Sequence, residues 1–176
     1  VVIGERGKKL YIRTFAYSEE EYKSTVGCIK HIKSDKVILM MKETPHDFFL
    51  THPDNSYIRK MNRPTIVEFD SGNEYSGQGV VANTWPEYTM KRWGSYINCP
   101  NVTGYVARTD RYGDTSIVGT ANEIQLYALK RMTEEQTVSP MQIYNEFITS
   151  RYGEDALLPI RKAFQNAYDI VTSVFY

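Results

Sequence analysis

The chain has 176 residues, with 21 Lys and Arg against 21 Asp and Glu. This balance excludes the strongly basic surface that binding to nucleic acid or an acidic membrane requires. The apolar runs are too short to cross a bilayer, so no membrane partner is expected. Cys28 and Cys99 are too few for a disulfide framework and predict two free thiols. The three histidines lack metal-ligand spacing, and we expect neither a metal nor a cofactor.

Strand and helix patterns alternate from the start of the chain. Lys8–Tyr17 alternates and is β-rich, which predicts a strand with Arg13 on its aromatic face. Ser18 and Glu21 form a capping-box pattern that predicts a helix directly afterwards. The apolar run Val37–Met41 then predicts a buried second strand. A βαβ unit of this size makes the two strands parallel.

Two further strands follow a long connection. Thr65–Phe69 is short, apolar and bounded by Pro and Asp, which predicts a third buried strand. Asn101–Arg108 predicts a fourth strand, and Trp85–Tyr96 gives a weaker helical pattern between the two. The connection before the third strand, from Phe48 to Arg63, is long for a compact domain, and such loops are usually functional or disordered. Its aromatic residues favour an ordered loop.

The second half of the chain is helical by pattern. Apolar residues recur at helical spacing over Ile117–Met132. Ser139, followed by Pro and Gln, predicts the start of another helix that ends at Gly153. One apolar stripe over Ile160–Val174 predicts a last helix.

These elements define the expected fold class and domains. We predict an α/β fold, a partial (β/α) TIM-like barrel of about four parallel strands, in residues 1–135. A C-terminal helical region, residues 136–176, follows it. A complete eight-fold barrel usually needs about 250 residues, so only half a barrel is expected here.

Polar residues gather just after the second and third strands, where α/β barrels carry their catalytic groups. Two carboxylates on neighbouring strand ends suit glycoside chemistry. These residues are Lys42, His46 and Asp47 after the second strand, and Asp70, Asn73, Glu74 and Gln78 after the third.

Three ordered motifs carry a family resemblance. The first runs from Lys42 through Pro45 to Asp47 and Phe48, the second is Glu68 followed by Glu-Tyr-Ser-Gly-Gln from Glu74, and the third is Arg13 within Tyr-Ile-Arg-Thr-Phe-Ala-Tyr. With weaker echoes near Asn101 and Asn122, the chain from about Tyr11 to about Tyr176 resembles the family 67 glycoside hydrolases, the α-glucuronidases. The matching part is the second half of their catalytic barrel and their C-terminal helical region.

The resemblance implies a reaction and roles. These inverting enzymes hydrolyse glucuronic acid from xylan-derived oligosaccharides, so an oligosaccharide substrate in xylan degradation is expected. The resemblance makes Asp47 and Glu74 the candidate general bases that activate water. Arg13 and Lys42 would bind the sugar carboxylate, for which a planar guanidinium is well suited. The family's general acid comes from an earlier strand, which is absent here. The chain departs from the family at Glu43-Thr44 and Phe49, where Asn-Gly and Gln are usual.

Several residues keep alternative roles. Glu68 competes with Glu74 for the base role, and if buried it must pair with Arg13 or Lys42. Asp47 could instead cap a helix or a turn. Tyr75 and Trp85 are either sugar platforms or core residues. Secondary candidates for the site are His46, Asp110 and Asp114.

Two other functions also stay open. The chain could be a non-catalytic carbohydrate-binding or assembly module that retains the half-barrel. It could also be a piece whose open barrel edges are covered by a homodimer partner or by a missing N-terminal half-barrel, since it begins at Val1 rather than Met. The free thiols favour a bacterial cytoplasm, although a periplasmic or secreted location is compatible with a lost leader.

Overall fold

The structure, a computed structural model, describes residues 5–14, 16, 18–109 and 116–176. Four strands form one parallel sheet in the order β1–β2–β3–β4. Strand order equals chain order, so successive crossovers step in one direction, as in a (β/α) barrel and unlike a doubly wound sheet, whose order reverses. The strands are β1 (Leu10–Arg13), β2 (Val37–Lys42), β3 (Thr65–Phe69) and β4 (Val102–Ala107).

The predicted partial α/β fold is confirmed. The β3 bounds match the prediction, and β2 continues one residue further, to Lys42. The apolar runs form central strands because both faces are largely covered: Leu39 and Val67 have no exposed surface. β1 is shorter than the predicted strand Lys8–Tyr17. Phe15 and Tyr17, from the end of that prediction, lie outside the described residues.

Capping boxes set the starts of two helices as predicted. Ser18 accepts a hydrogen bond from the Glu21 backbone, and the Glu21 side chain accepts one from the Ser18 backbone. Ser139 and Gln142 make the same reciprocal pair. The α-helices of the described residues are α1 (Glu19–Lys30), α2 (Pro86–Gly94), α3 (Ile124–Glu134), α4 (Pro140–Tyr152), α5 (Leu157–Gln165) and α6 (Ala167–Phe175).

Two helix predictions were wrong in their bounds. The helix predicted from Ile117 begins only at Ile124, after a short 3₁₀ turn, because Gly119 has a left-handed φ of 87° and the Thr120 side chain caps the turn. The single stripe over Ile160–Val174 belongs to two helices, which break at Asn166. An apolar stripe continues across such a break, since periodicity reports which face is buried and not where the backbone bends.

The described residues form two compact units. Among the described residues, one comprises residues up to Phe48, His52–Phe69 and Tyr96–Val106, and it contains β1, β2, β3, β4 as far as Val106, and α1. The other comprises Phe49–Thr51, Asp70–Ser95 and Ala107–Tyr176 and contains the remaining α-helices. In this second unit, α2, α3 and α4 share an apolar core made of Met90, Ile124, Ala128, Val138, Ile143, Tyr144, Phe147 and Ile148. Both cysteines are free thiols, as predicted.

Candidate active site

Three charged residues share one face of the sheet near its carboxyl end. Arg13 lies opposite Met40 in the β1–β2 register, and Lys42 lies opposite Glu68 in the β2–β3 register. Because side chains alternate along a strand, all of these side chains belong to the same face. The parallel register therefore gathers the charges that the sequence places near three strand ends.

An ion pair joins Arg13 to Glu68. Arg13 Nε lies 2.7 Å from Glu68 Oε2. The Glu68 side chain is only 4% exposed, whereas that of Arg13 is 39% exposed. Glu68 is therefore buried and paired, and of the two partners expected for a buried Glu68, Arg13 makes the ion pair.

A second ion pair joins Lys42 to Asp47. Lys42 Nζ lies 2.6 Å from Asp47 Oδ1, and the side chains are 7% and 31% exposed. The ammonium group also lies 4.9 Å from the centre of the Phe48 ring. Burial lowers the pKa of Lys42, while the hydrogen bond to Asp47 opposes this shift. Arg13 and Glu68 also act electrostatically on Lys42, so the two ion pairs form one cluster.

The loop after β2 fixes the backbone of Asp47. The Thr44 hydroxyl donates to the Asp47 carbonyl oxygen at 3.1 Å, and His52 Nδ1 lies 3.0 Å from the same oxygen. Since a carbonyl only accepts, Nδ1 is the protonated nitrogen of His52. The His46 ring meets the His52 ring edge-on at 5.6 Å. His52 could not be predicted as a site residue, because nothing in its spacing links it to Asp47.

A buried tyrosine and asparagine support the end of β2. The Asn55 side chain donates to the Lys42 carbonyl at 2.9 Å, and its backbone N–H donates to the Tyr96 hydroxyl at 2.6 Å. Tyr96 in turn donates to the Glu43 carbonyl oxygen. All four residues are buried. These bonds satisfy backbone groups that emerge from the sheet, and they hold Lys42 in place.

Glu74 belongs to the second compact unit and sits in a tight loop after β3, as predicted. Its backbone N–H donates to Asp70 Oδ2 at 2.6 Å. Its carboxylate lies 2.9 Å from Arg108 Nη1, which is also 3.7 Å from Asp70. Arg108 was not among the predicted site residues. Arg108 follows β4 directly. Because the other site residues were predicted from polar positions at strand ends, this position could have identified Arg108 too.

The conformation of this loop depends on left-handed residues and buried amides. Asn73 and Gln78 have positive φ angles of 58° and 52°, and Gly77 has one of 94°. Gln125 Nε2 donates to Asn73 Oδ1 at 3.3 Å and to the Asn83 carbonyl at 2.6 Å. Asn and Gly adopt left-handed backbone at low cost, which explains this turn sequence.

The aromatic candidates differ in their surroundings. Tyr75 packs on Phe49 with ring centres 4.2 Å apart, and its carbonyl accepts a hydrogen bond from the Tyr176 hydroxyl. Trp85 is 2% exposed and lies in an apolar cluster with Leu50. Trp85 is therefore a core residue rather than an open platform. Asp110 and Asp114 lie outside the described residues.

Comparison with known protein families finds no match to this chain, and comparison with curated proteins finds none either. Within the described ranges, no helix is both long and apolar enough to cross a membrane. No cluster of three His, Cys, Asp or Glu side chains suited to a metal ion occurs among the same residues.

Proposed function

We propose that this chain contributes the water-activating part of a glycoside hydrolase of the family 67 α-glucuronidase type. Its substrate would be a uronic-acid-bearing, xylan-derived oligosaccharide, hydrolysed with inversion. The observation that carries the proposal is the cluster of two ion pairs, Lys42–Asp47 and Arg13–Glu68, at the carboxyl end of three parallel strands. Barrel enzymes place their chemistry at this edge.

Asp47 is the proposed general base. A general base must be ionised before it can accept a proton, and an ammonium group in direct contact favours a carboxylate. Lys42 supplies that ammonium group at 2.6 Å. The Asp47 side chain is 31% exposed, so water can reach it. The anchoring of its backbone by Thr44 and His52 would keep the carboxylate oriented during the reaction.

Arg13 and Lys42 are the proposed ligands of the uronate group. Arg13 is 39% exposed, and its guanidinium can meet a carboxylate with two parallel hydrogen bonds. Lys42 adds a second positive charge on the same face. The cluster contains two cations and two carboxylates and is therefore neutral. An entering uronate would have to compete with Asp47 or Glu68 for these cations. This competition would couple substrate binding to release of the base.

Glu74 is the second candidate base. Its contact with Arg108 and its backbone bond to Asp70 give it a fixed position. An inverting pair of acid and base stands roughly 6.5–9.5 Å apart to leave room for water. The acid is expected from another strand of a complete barrel.

The test is release of glucuronic acid from glucuronosyl-xylotriose by the full-length protein, with the product anomer followed by proton NMR. We expect the β-anomer first, as inversion of an α-linkage requires. Asp47→Asn should lower kcat by about 10²–10⁴-fold, the usual contribution of a general base. Glu74→Gln separates the two candidates, because only the true base should show a loss of this size.

Asp54→Asn is the matched control, since Asp54 lies in the same unit and pairs with Arg59. It should leave kcat within about twofold. Turnover within about tenfold of wild type for Asp47→Asn would reject that base assignment. Saturable binding of the substituted oligosaccharide with no turnover in the wild-type protein would favour the non-catalytic carbohydrate-binding module instead.

A further inference from the structure

A cavity of about 350 Å³ in the second compact unit has no role in the proposed chemistry. It opens among α2, α4 and the two last helices, and its volume lies within the range of small-ligand sites. Trp85 and Tyr144 form its buried floor, with 2% and 1% of their surface exposed. Tyr88 and Tyr168 form half-buried walls.

The aromatic walls are held rigidly. Tyr168 meets Trp85 edge-on, with ring centres 5.7 Å apart and an interplanar angle of 90°. It also stacks on Tyr88 at 5.8 Å. The Tyr88 hydroxyl donates to the Leu50 carbonyl at 3.2 Å, which fixes that ring from the other end. A ligand would therefore enter a preformed site and would order few side chains on binding.

The mouth of the cavity offers both donors and acceptors. Glu87 and Asp169 supply carboxylates, and Lys91 and Gln165 supply an ammonium and an amide group. All four residues are exposed. The buried Tyr144 hydroxyl donates to Glu87 Oε2 at 2.8 Å and so orients that carboxylate at the rim.

This combination fits a hydroxyl-rich ligand, because the mouth carries charged groups of both signs and an amide. A sugar hydroxyl both donates and accepts, so it can use every group at the mouth. The apolar faces of a sugar ring match aromatic walls, as is general for ligand sites with apolar linings and few polar groups.

We propose that this cavity is a secondary carbohydrate-binding site for an unsubstituted, neutral sugar unit of the oligosaccharide chain. The choice of xylose as that sugar rests on the proposed function, whereas the class of ligand rests on the cavity alone. The site would retain the neutral backbone of the polymer independently of the uronate cluster.

The experiment is calorimetric titration of the full-length protein with xylotriose, a neutral probe that carries no uronate. We expect saturable binding that is at least tenfold weaker in Tyr168→Ala, which removes one wall. Because this change also removes core contacts, Asp169→Lys provides a second variant at the exposed mouth, with a similar expected loss. Asp155→Lys is the matched control, since Asp155 is exposed in the same unit but does not line the cavity.

The outcomes separate this inference from the proposed function. No saturable binding of xylotriose, or equal binding by wild type and Asp169→Lys, would overturn the secondary site. An equal loss of xylotriose affinity in Asp155→Lys and Asp169→Lys would also overturn it, because the effect would then come from the changed net charge of the protein. Cavity-dependent binding without any release of glucuronic acid would support the site and reject the hydrolase. Hydrolysis without cavity-dependent binding would support the hydrolase and overturn the secondary site.

Discussion

Arg13 on β1 reaches across the central strand β2 to Glu68 on β3, with its Nε 2.7 Å from the Glu68 carboxylate. One end of this bridge is buried and the other is half exposed. The consequences of removing either end therefore differ, because a buried carboxylate that loses its cation has no water to replace it.

We predict that Arg13→Met destabilises the fold more than Glu68→Gln does. Loss of the guanidinium leaves the Glu68 charge at 4% exposure, while Glu68→Gln leaves Arg13 in contact with solvent. Because Arg13 is 39% exposed, we expect a loss of only about 1–2 kcal/mol, below the 3–5 kcal/mol of a fully buried pair. Urea unfolding measures both values. Lys36→Met, in an exposed pair with Asp35, is the control and should change stability by less than about 0.5 kcal/mol.

Alanine substitutions at Gly77 and Gly27 should change the stability of the fold in opposite directions. Gly77 has a φ of 94°, and a Cβ there would lie 2.5 Å from the Val81 side chain. Gly77→Ala should therefore cost at least about 2 kcal/mol from strain and clash together. Gly27 lies within α1 with open space around it, so Gly27→Ala should stabilise the fold by about 0.5–1 kcal/mol.

Thermal unfolding distinguishes these two glycine effects. If the clash is the main cost, adding Val81→Gly to Gly77→Ala should recover part of the lost stability, because it removes both the Cβ and the Cγ2 of Val81 that the new Cβ would meet. A Gly77→Ala variant as stable as wild type would show that the loop relaxes. In that case the loop would not hold Glu74 in a fixed position.

The sequence predicted the elements whose signals are local. The buried strands follow from two short apolar runs, and the starts of α1 and α4 follow from the capping boxes at Ser18 and Ser139. The break at Asn166 could not be predicted, because the apolar stripe continues through both helices without interruption. The position of Gly119 was a usable signal for the delayed start of α3, since a left-handed glycine interrupts a helix.

The candidate residues could be named from the sequence, but most of their contacts could not. Strand-end position was enough to select Lys42, Asp47 and Glu74, whereas Arg13 and Glu68 were selected through the family resemblance. The pairing of Arg13 with Glu68 rather than with Asp47 depends on strand register, and the contact of Arg108 with Glu74 depends on a loop whose turn uses four positive φ angles. Gln125 supports this loop with a buried amide that lies far along the chain from Asn73. No spacing in the sequence indicates such a contact.

Tyr144 predicts how the second unit responds to alkaline pH. Burial raises the pKa of Tyr144 well above its usual value, and the hydrogen bond to Glu87 adds to this shift. Above about pH 10 the unfolded tyrosine loses its proton while the folded one keeps it, so the folded state binds more protons and stability falls as pH rises. Tyr144 contributes at most about 1.4 kcal/mol per pH unit to the slope of the unfolding free energy against pH.

Tyr144→Phe removes this titration and should flatten the loss of stability above about pH 10. At neutral pH the variant should be less stable by about 1 kcal/mol, since the hydrogen bond from the Tyr144 hydroxyl to Glu87 is lost. Urea unfolding at a series of pH values gives both quantities. Tyr11→Phe, at an exposed tyrosine, is the control and should leave the slope unchanged. Equal slopes for wild type and Tyr144→Phe would contradict the prediction.

His52 predicts how the orientation of Asp47 affects turnover if the proposed hydrolysis is correct. Its Nδ1–H and the Thr44 hydroxyl both bond to the Asp47 carbonyl oxygen. His52→Ala removes one bond without touching the carboxylate, so we expect kcat to fall by about tenfold while KM changes little, since a misoriented base slows the chemical step. His52→Asn places an amide N–H where Nδ1 stands and should restore most of the rate. A merely structural role would instead lower stability in both variants and give no rescue by Asn, and an unchanged kcat in His52→Ala would show that Asp47 needs no such anchor.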